Sequence, residues 1–455
     1  MFRKNDEFEC EITANGSGGE GICKINGFTI FVPNTVKGDV IKGKILKVKS
    51  GYAFGKAVDI ITSSILRQTP LCNNSLSCGG CDIACMNYEY QLELKRSIVR
   101  DALERIGGIS IEPEKTVGMD QPYYYRNKMQ FPVGRNKDGE IVYGFYAKRS
   151  HNIIPAMGCV TGKKHCKPIM DTIVDFMKEK GIEPYDELSH KGIIRHVFLR
   201  DSAFSGEIMV VLVINAESLP YADELVQKLL QKEKTISGIL LNINRKKTNL
   251  ILGEKNIVLY GKDYITDRIG KLKFKISPHS FFQINSVQTE KLYNLTLDAA
   301  GDLTESTVFD LYCGTGTISL FMAQKAKMVY GIEIVDDAVE NAKENAKDNN
   351  VKNAEFYSGA VEDIIEGLYN NGVRADVVVM DPPRKGSDQK TLDIIIKMKP
   401  SKIVYVSCDP ATLARDLKIL GEGGFKLEKA VPVDMFPMTS HVETVALLTG
   451  ENYEQ

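Results

Sequence analysis

From Thr307 to the C-terminus, short apolar runs at 308–312, 328–332, 354–357, 376–380, 403–406, 425–433 and 442–448 alternate with segments of helical period. Strands that alternate with helices at close spacing predict an α/β fold, a doubly wound and mainly parallel sheet covered on both faces. In such sheets ligands bind beyond the carboxyl ends of the strands. The first part of the chain reads differently. Residues 1–62 carry apolar runs at 8–13, 21–24, 28–32, 39–48 and 52–61, separated by glycine turns, which predicts a small OB-like β-barrel. Residues 88–106 follow the helical period through Leu94, Ile98, Val99, Ala102, Leu103 and Ile106, with Gly107-Gly108 as the stop. Mixed patterning over 118–276, with strand-like runs at 208–214 and 238–243, predicts a middle α+β domain. The expected organisation is three domains, 1–62, 63–280 and 281–455.

The chain has 455 residues with 43% hydrophobic and 26% charged, an ordinary globular balance that argues against disorder. No apolar run approaches the roughly 20 residues of a membrane span, and the start MFRKNDEFEC has no apolar leader core. A cytoplasmic monomer is expected, without membrane partners. The formal net charge of -1 hides an asymmetry: residues 1–300 hold 42 Lys+Arg against 34 Asp+Glu, and residues 301–455 hold 16 against 25. Within 121–170 nine cations (Arg126, Lys128, Arg135, Lys137, Lys148, Arg149, Lys163, Lys164, Lys167) face two acids, Asp138 and Glu140. Among them stand Tyr123, Tyr124, Tyr125, Phe131, Tyr143, Phe145 and Tyr146. Cations for phosphates and rings for unstacked bases suit single-stranded RNA, though a solvated lysine-rich face has the same composition.

Ten cysteines in a cytosolic chain point to metal, catalysis or packing rather than to disulfides. Cys72-x5-Cys78-Gly79-Gly80-Cys81, with Cys159 far downstream, suits a [4Fe–4S] cluster. Zinc is the alternative, but no second close cysteine pair is present, and Cys85 and Cys166 are rival ligands.

The strand ends carry the chemistry. Asp310-Leu311-Tyr312-Cys313-Gly314-Thr315-Gly316-Thr317 is a glycine turn opening a helix, and Glu333, ending the next strand, can accept both hydroxyls of a ribose. Ser319 replaces the third glycine of a dinucleotide fingerprint, which favours S-adenosylmethionine as the ligand. Asp381-Pro382-Pro383-Arg384 stiffens the fourth strand's exit and holds a carboxylate at the crevice, as in base N-methyltransferases. The fifth strand then delivers Cys408. An exocyclic amine needs no thiol, whereas carbon 5 of a pyrimidine becomes nucleophilic only after a thiolate adds to carbon 6, and a base must later remove the carbon-5 proton. Glu443 is the candidate base, and Cys313 the competing thiol. A base N-methyltransferase, or an RNA-binding module without catalysis, would leave Cys408 idle.

C-x5-CGGC, FFQIN (281–285), DLYCGTGT, GIE, DPPR, SCDPATLARD (407–416) and HVETV together resemble the RNA (uracil-5-)-methyltransferase family, in particular its 23S ribosomal RNA branch with an N-terminal TRAM domain. The resemblance spans essentially the whole chain. It implies Cys408 as nucleophile and Glu443 as proton acceptor, with Gln283, Tyr312, Glu333 and Asp381 binding the methyl donor. It also implies Cys72, Cys78, Cys81 and Cys159 as cluster ligands, and RNA, expected to be 23S rRNA, as partner. A tRNA uridine is the alternative target. Cys159 is preferred over Cys166 by the family order of Gly144-Phe145-Tyr146, then His151, then cysteine. Cys85 stands where relatives often carry histidine.

Overall fold

The structure, a computed structural model, describes residues 2–75, 77–148, 150–156 and 158–450. Two compact units are formed, one from 1–69, 82–120 and 287–455, the other from 70–81 and 121–286.

The chain begins with β1 (Glu7–Glu11), β2 (Ala14–Asn15), β3 (Gly21–Ile25), β4 (Phe28–Val32), β5 (Val40–Val48) and β6 (Tyr52–Thr62), joined in the order β1-β5-β6-β4-β3-β2. Alternation sends Phe8, Cys23, Ile30, Val32, Ile41 and Ile45 to one buried face. Gly43 is required there, because a Cβ at this position would meet the Phe8 ring at 2.3 Å. The OB-like sheet expected from the sequence is present, and it is open, with β1 and β2 as its edges. β2 has only two residues, and the Asn15 side chain is spent on loops, donating to Thr35 O at 2.8 Å and accepting from Lys37 N at 2.9 Å. That strand is too short to carry a closing ladder.

Helix α1 (Tyr88–Ala102) starts at Asn87, whose side chain accepts from Tyr90 N, and runs into a π-helical turn, Leu103–Gly107, that ends on left-handed Gly108. The expected helix is therefore present, with its last turn widened.

The second unit holds β7 (Lys128–Arg135), β8 (Ile141–Tyr146), β9 (Ile153–Pro155), α2 (Cys166–Lys180), β10 (Ile194–Asp201), β11 (Ile208–Ile214), α3 (Ala222–Lys232), β12 (Ile236–Ile243) and β13 (Lys255–Gly261). The strands are ordered β13-β12-β11-β10-β7-β8-β9, with only β11 and β12 parallel among these pairings. β11 is buried along its whole length, which explains its unbroken apolar run. A hairpin follows, β14 (Ile265–Ile269) with β15 (Leu272–Ile276).

The remainder runs α4 (Ser286–Ala300), β16 (Thr307–Leu311), α5 (Thr317–Ala323), β17 (Met328–Glu333), α6 (Asp336–Asp348), β18 (Ala354–Ser358), α7 (Val361–Asn370), β19 (Val377–Met380), α8 (Gln389–Met398), β20 (Lys402–Ser407), α9 (Pro410–Glu422), β21 (Phe425–Val433) and β22 (Glu443–Gly450). The sheet order β18-β17-β16-β19-β20-β22-β21, with β22 antiparallel, is the expected doubly wound arrangement. Its order reverses between β16 and β19, so the ends of these two strands mark the crevice.

One polar network ties α1 to this sheet. Lys95 and Asp434 form an ion pair with both side chains fully buried. Tyr88 Oη donates to Asp434 at 2.7 Å, Lys95 Nζ donates to Phe436 O at 3.1 Å, and Gln288 Nε2 donates to Asp434 O at 3.0 Å. Burial pulls the Lys95 ammonium below its ordinary value, and Asp434 opposes that pull. Lys95→Met should destabilise the protein by about 3–5 kcal/mol in urea unfolding, because Asp434 is left buried without a cation, with the Tyr88 hydroxyl still donating to it. Adding Asp434→Asn should recover part of that loss, and a single change costing under about 1 kcal/mol, the range of a surface pair, would contradict this account.

Candidate active site

β16 ends at Leu311, and Tyr312 turns the chain with a positive φ of 65°, followed by Gly314 at 54° and Gly316 at 77°. Gly316 also has no room for a side chain, since a Cβ would meet Phe356 at 2.9 Å and Ala342 at 3.0 Å. Glu333, at the end of β17, accepts from Gly314 N at 3.1 Å and from Val335 N at 3.0 Å. The carboxylate is thus fixed against the glycine turn, where a ribose diol would meet it. The Tyr312 hydroxyl pairs with Ser387 Oγ at 2.9 Å and burial raises its pKa. Ser319, in place of the third glycine, is fully buried and donates to Asp310. Asp310 is itself fully buried and is pushed up to about 7 by that burial, against the Ser319 hydrogen bond. Cys313 lies inside this turn, buried, its thiol raised well above the ordinary value by desolvation and by Asp310 and Glu333. Cys313 is closed inside the turn, whereas Cys408 is only half-buried.

Asp381 follows β19 and is pushed up to about 7 by burial. Cys408 follows β20. Because Ser407 pairs with Thr444 in the antiparallel β20–β22 ladder, Cys408 and Glu443 are the next residues beyond that pair. Glu443 is pushed up to about 8, first by burial and then by Asp381, while Arg384 opposes. The Cys408 thiol is pushed up to about 11 by burial, Glu443 and Asp381, with Arg384 again opposing. Cys408, Glu443, Asp381 and Arg384 therefore feel one another's charge at one sheet edge. Asp409, next to Cys408, caps α9 by accepting from Ala411 N at 2.9 Å and Thr412 N at 3.1 Å. The N-terminal end of that helix favours negative charge beside it.

Several residues that position this edge escaped the sequence reading. Asp416, fully buried, accepts from Tyr405 Oη at 2.6 Å and from Ser387 N at 2.8 Å. Arg415 donates to Lys385 O at 3.0 Å and Ser387 O at 3.1 Å. Together they clamp the loop after Arg384, where Gly386 at φ 76° has no space for a Cβ. Their signal was present, as the last two letters of SCDPATLARD, without an assigned role. Tyr293 of α4 had no sequence signal: it is fully buried, pairs with Thr317 Oγ1 at 2.8 Å, and is raised first by burial and then by Asp381, Asp310 and Glu443.

The second unit holds the other candidates. Gln283 is carried there, its carbonyl accepting from Asn127 Nδ2 at 2.9 Å. Cys72, Cys78, Cys81 and Cys159 all belong to this unit, and both Cys159 and Cys72 raise the Cys78 thiol after its own burial does. Gly80 N donates to Cys78 Sγ at 3.4 Å. Among the described residues the metal-type group that converges within 4.8 Å is a different one, His165, Cys166 and Asp201. Cys85 is in the first unit, buried with Val36, Ile83, Met86 and Leu94.

The aromatic part of the RNA expectation needs correcting. Tyr125, Phe131 and Tyr143 are buried at 4%, 1% and 6% exposure, and Phe131 packs on Tyr143 and Phe145 at 5.6 and 5.4 Å. Phe131 and Tyr143 lie on the inward faces of β7 and β8, and with Tyr125 they belong to the core and not to a stacking surface. Arg135 and Lys167 are paired with Glu183 and Asp171. Arg149 lies outside the described residues.

Residues 87–451 match the tRNA (uracil-5-)-methyltransferase family, and residues 2–58 match the TRAM domain. A Clostridium tetani protein described as an uncharacterized RNA methyltransferase is 49% identical over 447 residues, covering 98% of this chain and 97% of that protein. A Bacillus cereus protein with the same description is 46% identical over 432 residues, covering 95% and 94%. Among solved structures, the Pyrococcus abyssi tRNA (uracil-54, C5)-methyltransferase in complex with S-adenosyl-L-homocysteine is similar with a TM-score of 0.78 at 28% identity, over 97% of this chain and all of that one. No helix among the described residues is long and apolar enough to cross a membrane. A glycine turn with its carboxylate, a thiol and a buried acid at one sheet edge, and these likenesses converge: the chain belongs to the S-adenosylmethionine-dependent RNA (uracil-5-)-methyltransferases, with a TRAM domain at its N-terminus.

Proposed function

We propose that the protein methylates carbon 5 of a uridine in 23S ribosomal RNA, with Cys408 as nucleophile and Glu443 as proton acceptor. The observation that carries the mechanism is the placement of Cys408 and Glu443 side by side beyond the β20–β22 ladder, with Arg384 and Asp381 acting on both. In this reading the Cys408 thiolate forms a bond to carbon 6, and the electrons of the ring double bond move onto the carbon-4 carbonyl oxygen. The resulting enolate takes the methyl group through carbon 5 and S-adenosylhomocysteine leaves. Glu443 then removes the carbon-5 proton, the double bond re-forms, and the Cys408 thiolate departs. A carboxyl held near 8 is a stronger base than an ordinary glutamate once ionised, which suits that last step. Cys408 reaches carbon 6 only in a base that has left its stack. Glu333 is assigned to the donor's ribose, with Tyr312 and Asp381 lining the same crevice, and the resemblance adds Gln283.

A tRNA uridine is the second reading, favoured by the tRNA substrate named for the Pyrococcus abyssi relative. Mapping 5-methyluridine in 23S rRNA and tRNA from a deletion strain separates them: loss confined to 23S rRNA is expected, and loss confined to tRNA overturns the ribosomal target.

For a [4Fe–4S] group the four cysteines of the second unit fit by chemistry. Bound, the group would cross-link segment 70–81 to the loop at Cys159. Methyl transfer to the enolate moves no net electrons, so its role here is structural.

Glu443→Gln should still add and methylate but stall before elimination, leaving RNA attached through Cys408 as a denaturation-resistant band. Cys408→Ala should lose both band and product while still binding the donor. An adduct mapped to Cys313, or normal turnover by Glu443→Gln, overturns the assignment. Protein purified without oxygen should be brown with about four irons and four sulfides per chain, and Cys78→Ala should lose that colour. One zinc and no sulfide would refute the cluster.

A further inference from the structure

The second unit contains a group of cations that the proposed chemistry leaves unexplained. In the β7–β10 ladder Arg200 stands directly opposite Lys128. Like charges in opposed positions repel, so a sheet gains nothing from this pair by itself. Arg200 is 3% exposed, and its Nε has no hydrogen-bond partner among the described residues. Among the described residues its Nη2 donates to the Ser280 carbonyl, a neutral acceptor, and the guanidinium lies 5.3 Å from the Phe198 ring centre. No described carboxylate makes an ion pair with Arg200, Lys128 or Arg126, in contrast to Arg135 and Lys167 on the same stretch. His279 completes the group on the loop after β15. It feels the Arg200 charge, and that loop is tied by Ser277 and Ser280, whose hydroxyls pair at 2.9 Å.

We propose that Lys128 and His279, with Arg126 beside them and Arg200 beneath, form a binding site for one phosphodiester of the RNA substrate. This rests on the RNA reading above and adds to it a specific anchoring point. A buried cation without an anion is costly, and the field it projects through a low-dielectric wall is strong. An anion seated at the surface against Lys128 and His279 would relieve both the Arg200 burial and the Lys128–Arg200 repulsion. The Lys128 ammonium is accordingly held down at about 8 in the absence of an anion, first by burial and then by Arg200 and Arg126. The position also has consequences for the substrate. Asn127, between Arg126 and Lys128, donates to Gln283 O and takes Ile284 O through its own N–H, both at 2.9 Å. A phosphate bound here is therefore held by the same backbone that carries Gln283. The charge marks the backbone of RNA and carries no sequence information, so the site positions and does not select.

The test uses the full chain and a single-stranded oligouridylate of about twelve nucleotides as probe. Lys128→Met should weaken binding about tenfold near 0.1 M salt and reduce the slope of log affinity against log salt by about 0.7–1. Arg200→Met should act in the same direction without changing the slope as much, because the buried guanidinium contributes its field and not a released counterion. Should Arg200→Met fail to fold, His279→Ala replaces it. Lys167→Met, whose cation is already paired with Asp171, should leave affinity unaltered. Inorganic phosphate should raise the melting temperature of the wild type and not of Lys128→Met. If the wild type binds no oligouridylate, the RNA reading beneath this inference falls. If it binds and the Lys128 and His279 variants match it in affinity and slope, the phosphate site alone falls. Stabilisation by phosphate with unaltered RNA affinity would likewise overturn it, as a site for free anions.

Discussion

Three carboxyl groups lie at the carboxyl edge of one sheet, Asp310 and Glu443 buried and Asp381 half-buried, and most of what surrounds them serves to tolerate that loss of water. Their proton affinities are raised to about 7, 7 and 8, chiefly by desolvation. An acid whose value is raised by folding favours the folded state below its unfolded value near 4 and loses that contribution as pH rises through 7 to 8. Folding thus favours the protonated forms of these carboxyls, and Arg384 opposes the Glu443 and Cys408 shifts that burial produces. A small change in surroundings, such as a bound base or sulfonium, is enough to redistribute those protons.

Around that edge the positioning is done by residues with no reactive role. Asp416 and Arg415 fix the loop after Arg384, Asp409 fixes the start of α9, and Tyr293 braces Thr317 at the glycine turn. Each uses a charged or polar group that is fully satisfied, so the reactive side chains inherit an orientation that they do not have to maintain themselves. The Lys95–Asp434 network acts likewise on a larger scale by joining α1 to the segment after β21.

Much of this was legible in the sequence. The strands of the doubly wound sheet are continuous apolar runs bounded by helical periods, and β21 and β11 match their expected ranges to the residue. That Cys408 and Glu443 would meet at one sheet edge was readable, because one follows the fifth strand and the other opens the last. Which strands form the edges of the N-terminal sheet was not readable, since that depends on pairing between distant segments, and β2 has only two residues. The rings at Tyr125, Phe131 and Tyr143 were misassigned because composition does not say which face of a strand a ring occupies. Arg200 and Tyr293 were invisible for a related reason. Their roles are set by partners brought close only by the fold, and nothing near them in the chain announces it.

The order in which the two units draw on the chain has a bearing on synthesis. The second unit is complete once residue 286 has left the ribosome, whereas the first needs residues 287–455 to join 1–69 and 82–120. Emergence from the N-terminus therefore lets the cysteine-bearing unit form while α1, whose Val99 packs into the core of the C-terminal sheet, waits for a partner made last. The β1–β6 sheet and α1 pass through that interval as nascent chain, and α1 carries Lys95 through it without Asp434. Until its acid arrives Lys95 is costly to bury, so the helix face that carries it gains little from packing on any other surface.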